Sequence, residues 1–279
     1  MAATTCGRCG NMVEADARRC PDCGRLWPSL FGQRRRLDAW FANDRPFSKP
    51  LGLFLIVVYL ATCLVAQKRG DFVASGFFGL GPGNETMFRF GAMFTEEIAN
   101  GEWWRPITGC LLHAGIMHIL FNVLGLWRLG TLVIGAYGNA RFTILLFVSG
   151  TLSFILPMTE VRFTLGASGA VFGLIGAAIA YGYRRGGDHG QMIRGFGFQW
   201  LAYGALFGFM IPGVNNWAHG VGALTGFATA WTFDVWRLQR GRESDGARLL
   251  ATFLIALTIV ALVVGVTLGF TKDYPYRFI

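Results

Sequence analysis

The stretch LGASGAVFGLIGAAIAYGY, residues 165–183, places Ser168 between Gly166 and Gly169 at the head of an apolar run. A serine there serves one of three ends: close helix packing, an N-cap, or a nucleophile kept from bulk water. The nature of the run and its neighbours decides among them. Of 279 residues, 53% are hydrophobic and 15% charged, and the mean hydropathy is +0.44. A soluble domain carries about a quarter charged residues. A span needs roughly 20 mostly apolar residues. Seven runs approach or reach this: Leu51–Ala66, Leu111–Leu129, Phe142–Met158, Gly169–Tyr183, Phe196–Ile211, Trp217–Trp236 and Leu249–Gly269. They predict an all-α polytopic membrane protein, with the fourth and fifth runs short. The first 50 residues are polar and show no cleavable signal pattern, so the first run is expected to act as an uncleaved anchor.

The net charge of +9 raises the possibility of nucleic acid, but topology accounts for it. With a cytoplasmic N-terminus and alternating connections, 18 of the 25 Lys and Arg residues fall inside, nine of them in residues 1–50. Seven fall outside: Lys68, Arg69, Arg89, Arg105, Arg162, Lys272 and Arg277. This asymmetry predicts an N-in, C-out integral membrane protein, and no nucleic-acid partner is expected.

Residues 6–24 read CGRCGNMVEADARRCPDCG. Cys6 and Cys9, then Cys20 and Cys23, form two C-x-x-C pairs, each followed by a turn-forming glycine (Gly10, Gly24). Four thiolates suit tetrahedral zinc in a closed structural site. Two disulfides are the alternative, disfavoured in a reducing cytosol. The module resembles small zinc ribbons and is expected to recruit a cytosolic protein partner or to support regulation. Cys63 and Cys110 read as apolar packing residues. Arg34, Arg35 and Arg36 precede Leu37, Trp40 and Phe41, which fits either an interfacial segment on anionic headgroups or a solvated linker. The chain therefore divides into residues 1–27, a basic linker 28–50, a core 51–240, and a seventh span with a short outer tail, 241–279.

Intramembrane ionisable groups are functional candidates because burying them is costly. No Asp or Glu lies mid-run, but His113, His118 and His219 lie in or beside runs; His189 sits in YRRGGDHGQM and reads as a solvated loop residue. Spans two, four and six run inward from the outer side. His118 and Asn122, Ser168, and His219 then lie at similar depth. His118 and Asn122, four apart, share a helix face. Gly222 and Gly226 continue the face of His219, and span four offers Gly169, Gly173 and Gly176. Small residues let membrane helices approach closely, so Ser168 and His219 can meet. Taken singly, each glycine or serine is packing and each histidine an ordinary core residue; the combination points to acyl transfer.

A serine hydroxyl needs a neighbouring base, and His219 supplies it, then acts as acid for the leaving amine. Asp234 lies on the order of 22 Å along the helix from His219, so the expectation is a dyad without the third member of a triad. The Ser168 amide, at a helix N-terminus, with His118 and Asn122, would hold the oxyanion, each donor contributing about 3 kcal/mol.

These residues resemble the rhomboid intramembrane serine proteases: Gly166-Ala167-Ser168-Gly169 for GxSG, His113-x4-His118-x3-Asn122 on span two, Trp104-Arg105 in the first loop, and Ala218-His219-x-x-Gly222 with Gly226 on span six. The resemblance covers roughly residues 50–240. It implies a six-helix rhomboid-like bundle, here with one further helix. It also implies Ser168 as nucleophile, His219 as base, and the Ser168 amide, His118 and Asn122 as oxyanion donors. His113 would be a structural histidine under the first loop. Transmembrane substrates would be cut near their outer ends, with no metal or cofactor in catalysis, and the membrane would be a bacterial inner membrane. Phe172 departs from the tyrosine often found there; its ring can still stack on the base. The segment Gly70–Cys110 carries eight Phe and Trp residues, which suggests that it lies in the outer leaflet and not as an ordinary extramembrane loop. Ile211–Asn216, with Pro212 and Gly213, reads as a turn over the site. The competing function is a non-catalytic client-binding or quality-control adaptor; retention of both Ser168 and His219 weighs against it. A channel or transporter would want a carboxylate relay.

Overall fold

A computed structural model describes residues 3–274 except 7, 8, 31–33, 43, 75, 161, 234–243 and 273. Seven long helices lie among the described residues: α1 (Ser48–Arg69), α2 (Ile116–Tyr137), α3 (Asn139–Ile155), α4 (Ser168–Arg185), α5 (Gly187–Met210), α6 (Asn216–Trp231) and α7 (Asp245–Thr271). One matches each apolar run, giving an all-α membrane bundle with a small four-cysteine module at its N-terminus. By length and composition, α1, α2 and α7 are apolar enough to cross a membrane, and α3 is a shorter apolar helix.

The glycine-rich α4 is built for protein neighbours. From Gly169 to Gly182 every residue is buried, as expected for a helix enclosed on all sides. It packs against α2, α3, α5 and α6. The α4–α6 seam is closest. A Cβ on Gly222 would strike the Gly169 carbonyl, and one on Gly226 the Gly173 carbonyl. By contrast α7 leaves Phe253, Ile259 and Val263 exposed, the pattern of a lipid-facing surface.

The boundaries differ from expectation at three places. The second run was expected to be helical from Leu111, but residues 109–111 form a 3-10 turn and α2 begins at Ile116, after the fully extended Gly115. His113 therefore lies in a buried connection. YRRGGDHGQM is scarcely a loop: α4 continues to Arg185 and α5 starts at Gly187, because Gly186 and Gly187, at φ 63° and 62°, turn the chain in one step. His189 is exposed, as expected, but in the first turn of α5. On the sixth run the helix ends at Trp231; Asp234, Trp236 and the arginines at 237, 240 and 242 lie outside the described residues.

The four-cysteine module is built on a strand pair, β1 (Ala3–Thr5) and β2 (Met12–Glu14). A short helix, Arg34–Trp40, follows. Phe41 packs with Ala140, Ile144, Ala251 and Leu254 at one end of α3 and α7. Arg25 pairs with buried Asp245 at 2.7 Å, and Arg248 pairs with Asp38. At the other end of the bundle, residues 70–110 form a structured layer: a hairpin of β3 (Phe72–Ala74) with β4 (Leu80–Pro82), short helices, and β5 (Met93–Phe94). The last pairs with β6 (Phe163–Thr164), just before α4.

Candidate active site

Ser168 is the first residue of α4, set there by Gly166, whose φ of +117° suits glycine. The Gly166 N–H donates to Gly109 O at 2.9 Å, anchoring the turn. The helical ladder opens with Val171 N–H to Ala167 O, so the Ser168 amide is one of the unpaired donors of a helix N-terminus. His219 lies in the first turn of α6, whose N-cap Asn215 accepts from Ala218 N–H at 3.0 Å. Asn215 Nδ2 also donates to Thr164 Oγ1 at 3.1 Å. One asparagine thus ties the start of α6 to the strand leading into α4.

Ser168 and His219 line one cavity of about 1090 Å³, together with His118, Asn122 and Phe172. The Phe172 ring stacks on the His219 imidazole, centroids 4.1 Å apart and planes 10° from parallel. Its far edge meets α5, where a Cβ on Gly204 would clash with Phe172 Cζ. His219 Nδ1 is buried and has no hydrogen-bond partner among the described residues. Stacking therefore orients this ring.

His118 is oriented by hydrogen bonding. The Ala114 N–H donates to His118 Nδ1 at 3.3 Å, which places the proton of the neutral ring on Nε2. Nε2 faces the serine turn: a Cβ on Gly166 would lie 2.5 Å from it. Asn122 is buried and gives one Nδ2 hydrogen to His118 O at 2.9 Å, keeping the second. Buried His113 packs edge-to-face on His118 at 5.0 Å, and Phe78 covers the same ring from the hairpin side. Across the cavity wall, Phe121 of α2 meets Phe207 of α5 at 6.0 Å.

Trp104 and Arg105 stand away from the cavity and hold the outer layer. Arg105 is 1% exposed; it donates to Glu102, Phe88 O and Ala92 O and lies 4.1 Å over the Phe88 ring. Trp104 packs on Gly265 of α7. Glu102 also accepts from Lys272 (2.6 Å) and Tyr274 (3.1 Å). Burial raises its pKa, yet Lys272, Arg105 and Tyr274 together hold it below the ordinary carboxylate value. The sequence reading missed Glu102; its place three residues before a motif arginine was the available signal. It missed Gly204 and Asn215 as well.

In the N-terminal module the four cysteine Sγ atoms lie within 4.8 Å of one another, with Cys6–Cys23 at 3.6 Å and Cys9–Cys20 at 3.7 Å. A tetrahedral Zn–S site has sulfur–sulfur edges of about 3.8 Å, against about 2 Å in a disulfide. The donor set fits a metal ion. Gly10 and Gly24, at φ 81° and 70°, shape the two turns.

A half-buried serine and a half-buried histidine thus line one cavity within a helical membrane bundle. The rhomboid domain model matches residues 100–235. Rhomboid protease GluP of Bacillus subtilis (strain 168) is 34% identical over 232 residues, covering 81% of this chain and 42% of that protein. Putative rhomboid protease YdcA of the same organism is 37% identical over 139 residues, covering 47% and 67%. RHOMBOID-like protein 4 of Arabidopsis thaliana is 28% identical over 243 residues, covering 78% and 61%. The chain belongs to the rhomboid family, and its match spans less than half the length of GluP.

Proposed function

We propose that this protein is an intramembrane serine endopeptidase that cleaves transmembrane proteins near their outer membrane boundary. The observation carrying this reading is that Ser168 and His219 line one cavity, their helices held together by a glycine seam. No hydrogen bond joins the two side chains among the described residues; such bonds commonly tighten only with substrate in place. Ser168 Oγ attacks the scissile carbonyl carbon and its proton passes to His219. The oxyanion takes hydrogen bonds from the Ser168 amide, His118 Nε2 and Asn122 Nδ2. As the intermediate collapses, the C–N bond breaks and His219 protonates the leaving amine. His219 then takes a proton from the water that attacks the acyl-enzyme carbonyl, and returns it to Ser168 Oγ as the ester C–O bond breaks and the new carboxyl terminus leaves.

The four-cysteine module would hold zinc as a structural ion, with all four positions filled by Cys6, Cys9, Cys20 and Cys23, and would recruit a cytosolic protein. Residues 1–27, 28–50, 51–240 and 241–279 are read as module, linker, protease core and seventh helix. The N-terminus is cytoplasmic and the C-terminus outside, and relatives from Bacillus subtilis support a bacterial membrane.

The test is cleavage of a membrane-anchored reporter by the purified full chain. Ser168→Ala and His219→Ala are each expected to lower cleavage by at least about 10³-fold. Undiminished cleavage by either variant defeats the reading.

A further inference from the structure

A second cavity, about 870 Å³, lies between α1, α3 and α7 and is separated from the serine cavity by Val171, which lines both. That size is ordinary for a small-molecule site. Its length is apolar, with Phe54 of α1, Leu146 of α3 and Ile259 and Leu262 of α7 along it. It opens outward: Phe54 is 39% and Ile259 58% exposed. One end differs in character. Arg45 and Lys49 line it with Trp40, which is 64% exposed. Neither cation has a side-chain hydrogen bond or ion pair among the described residues. The opposite end reaches Ala167 and Ala170, on the back of the turn that bears Ser168.

Two unpaired cations at one end of an apolar groove, Lys49 in the first turn of α1 and Arg45 in the bend just before it, call for an amphiphile with an anionic head. Basic pockets between membrane helices on the cytoplasmic side suit acidic lipid headgroups, and the proposed N-in orientation sets this mouth at that leaflet. Tryptophan at the mouth fits the headgroup level. A free phosphate would leave the apolar length uncovered, and a plain apolar helix would leave the cations unmatched.

We propose that the groove between α1, α3 and α7 binds an anionic phospholipid, its phosphate at Arg45 and Lys49 and its acyl chain along α7 toward Ala167. The site is independent of the serine chemistry, so Ser168→Ala is expected to bind the lipid as the parent chain does.

The experiment is native mass spectrometry on the full chain, delipidated in neutral detergent and titrated with phosphatidylglycerol or phosphatidylcholine. The parent chain is expected to retain phosphatidylglycerol preferentially. Arg45→Ala/Lys49→Ala, both at exposed positions, should weaken that retention about 30-fold, each cation near the surface contributing roughly fivefold. Ile259→Trp, which fills the groove from an exposed position, should reduce retention of both lipids, and glycerol 3-phosphate should displace neither. Equal retention of the two lipids, undiminished binding by the double variant, or displacement by glycerol 3-phosphate overturns the proposal. So does a cross-link from Ile259→Cys to a second copy or another polypeptide at full occupancy.

Discussion

Gly222 on α6 lies against Gly169 on α4 so closely that a Cβ on Gly222 would strike the Gly169 carbonyl oxygen. These glycines flank the two proposed catalytic residues, so the seam fixes how near an alcohol and an imidazole can come. Gly222→Val is expected to destabilise the bundle by about 1–3 kcal/mol through overpacking. If the helices part by about an ångström, turnover should fall on the order of 100-fold. Gly220→Ala, which meets nothing within 4 Å, should melt and cleave as the parent does. Thermal melting in detergent with the reporter assay reads both; wild-type behaviour of Gly222→Val contradicts the seam's role.

Glu102 joins the outer layer to the end of α7 through Arg105, Lys272 and Tyr274. Its folded pKa lies below the ordinary value of 4.5, so its stabilisation is present above about pH 4.5 and lost as pH falls through the folded value. Glu102→Gln should melt lower than the parent at neutral pH, with the two melting curves converging in acid. Glu102→Ala, leaving Arg105 buried without its carboxylate, should cost about 3–5 kcal/mol. A constant gap between parent and Glu102→Gln from neutral pH into acid contradicts this linkage.

The sulfur spacing in the four-cysteine cluster predicts about one zinc per chain by elemental analysis. Cys6→Ser/Cys23→Ser should lower it to background. Chelation should open residues 3–27 to proteolysis, since such modules fold on their metal. Metal-free protein whose module resists protease equally well with and without chelator sinks this assignment.

Much of this molecule was legible in its sequence because membrane helices declare themselves by apolar length, and glycine spacing marks close approach. The Gly166–Gly169 turn, the His118/Asn122 face and the Gly222/Gly226 stripe needed only helical periodicity. Helix ends were harder. Extended Gly115 delays α2, and the left-handed pair Gly186–Gly187 shortens a connection that its polar composition suggested was long. Partners far apart in sequence were not legible at all. Glu102 meets Lys272 across 170 residues, Gly204 faces the Phe172 ring, and Asn215 reaches Thr164; each depends on how distant segments are brought together in space, which composition does not encode.

The central claim is that Ser168 is a nucleophile and His219 its base. A fluorophosphonate probe on the purified chain, followed by peptide mapping, measures this most directly. One adduct is expected on Ser168, forming at least about 10²-fold more slowly in His219→Ala. Labelling of Ser168 at an unchanged rate without the imidazole, or no adduct at Ser168 in a folded parent chain, contradicts the account.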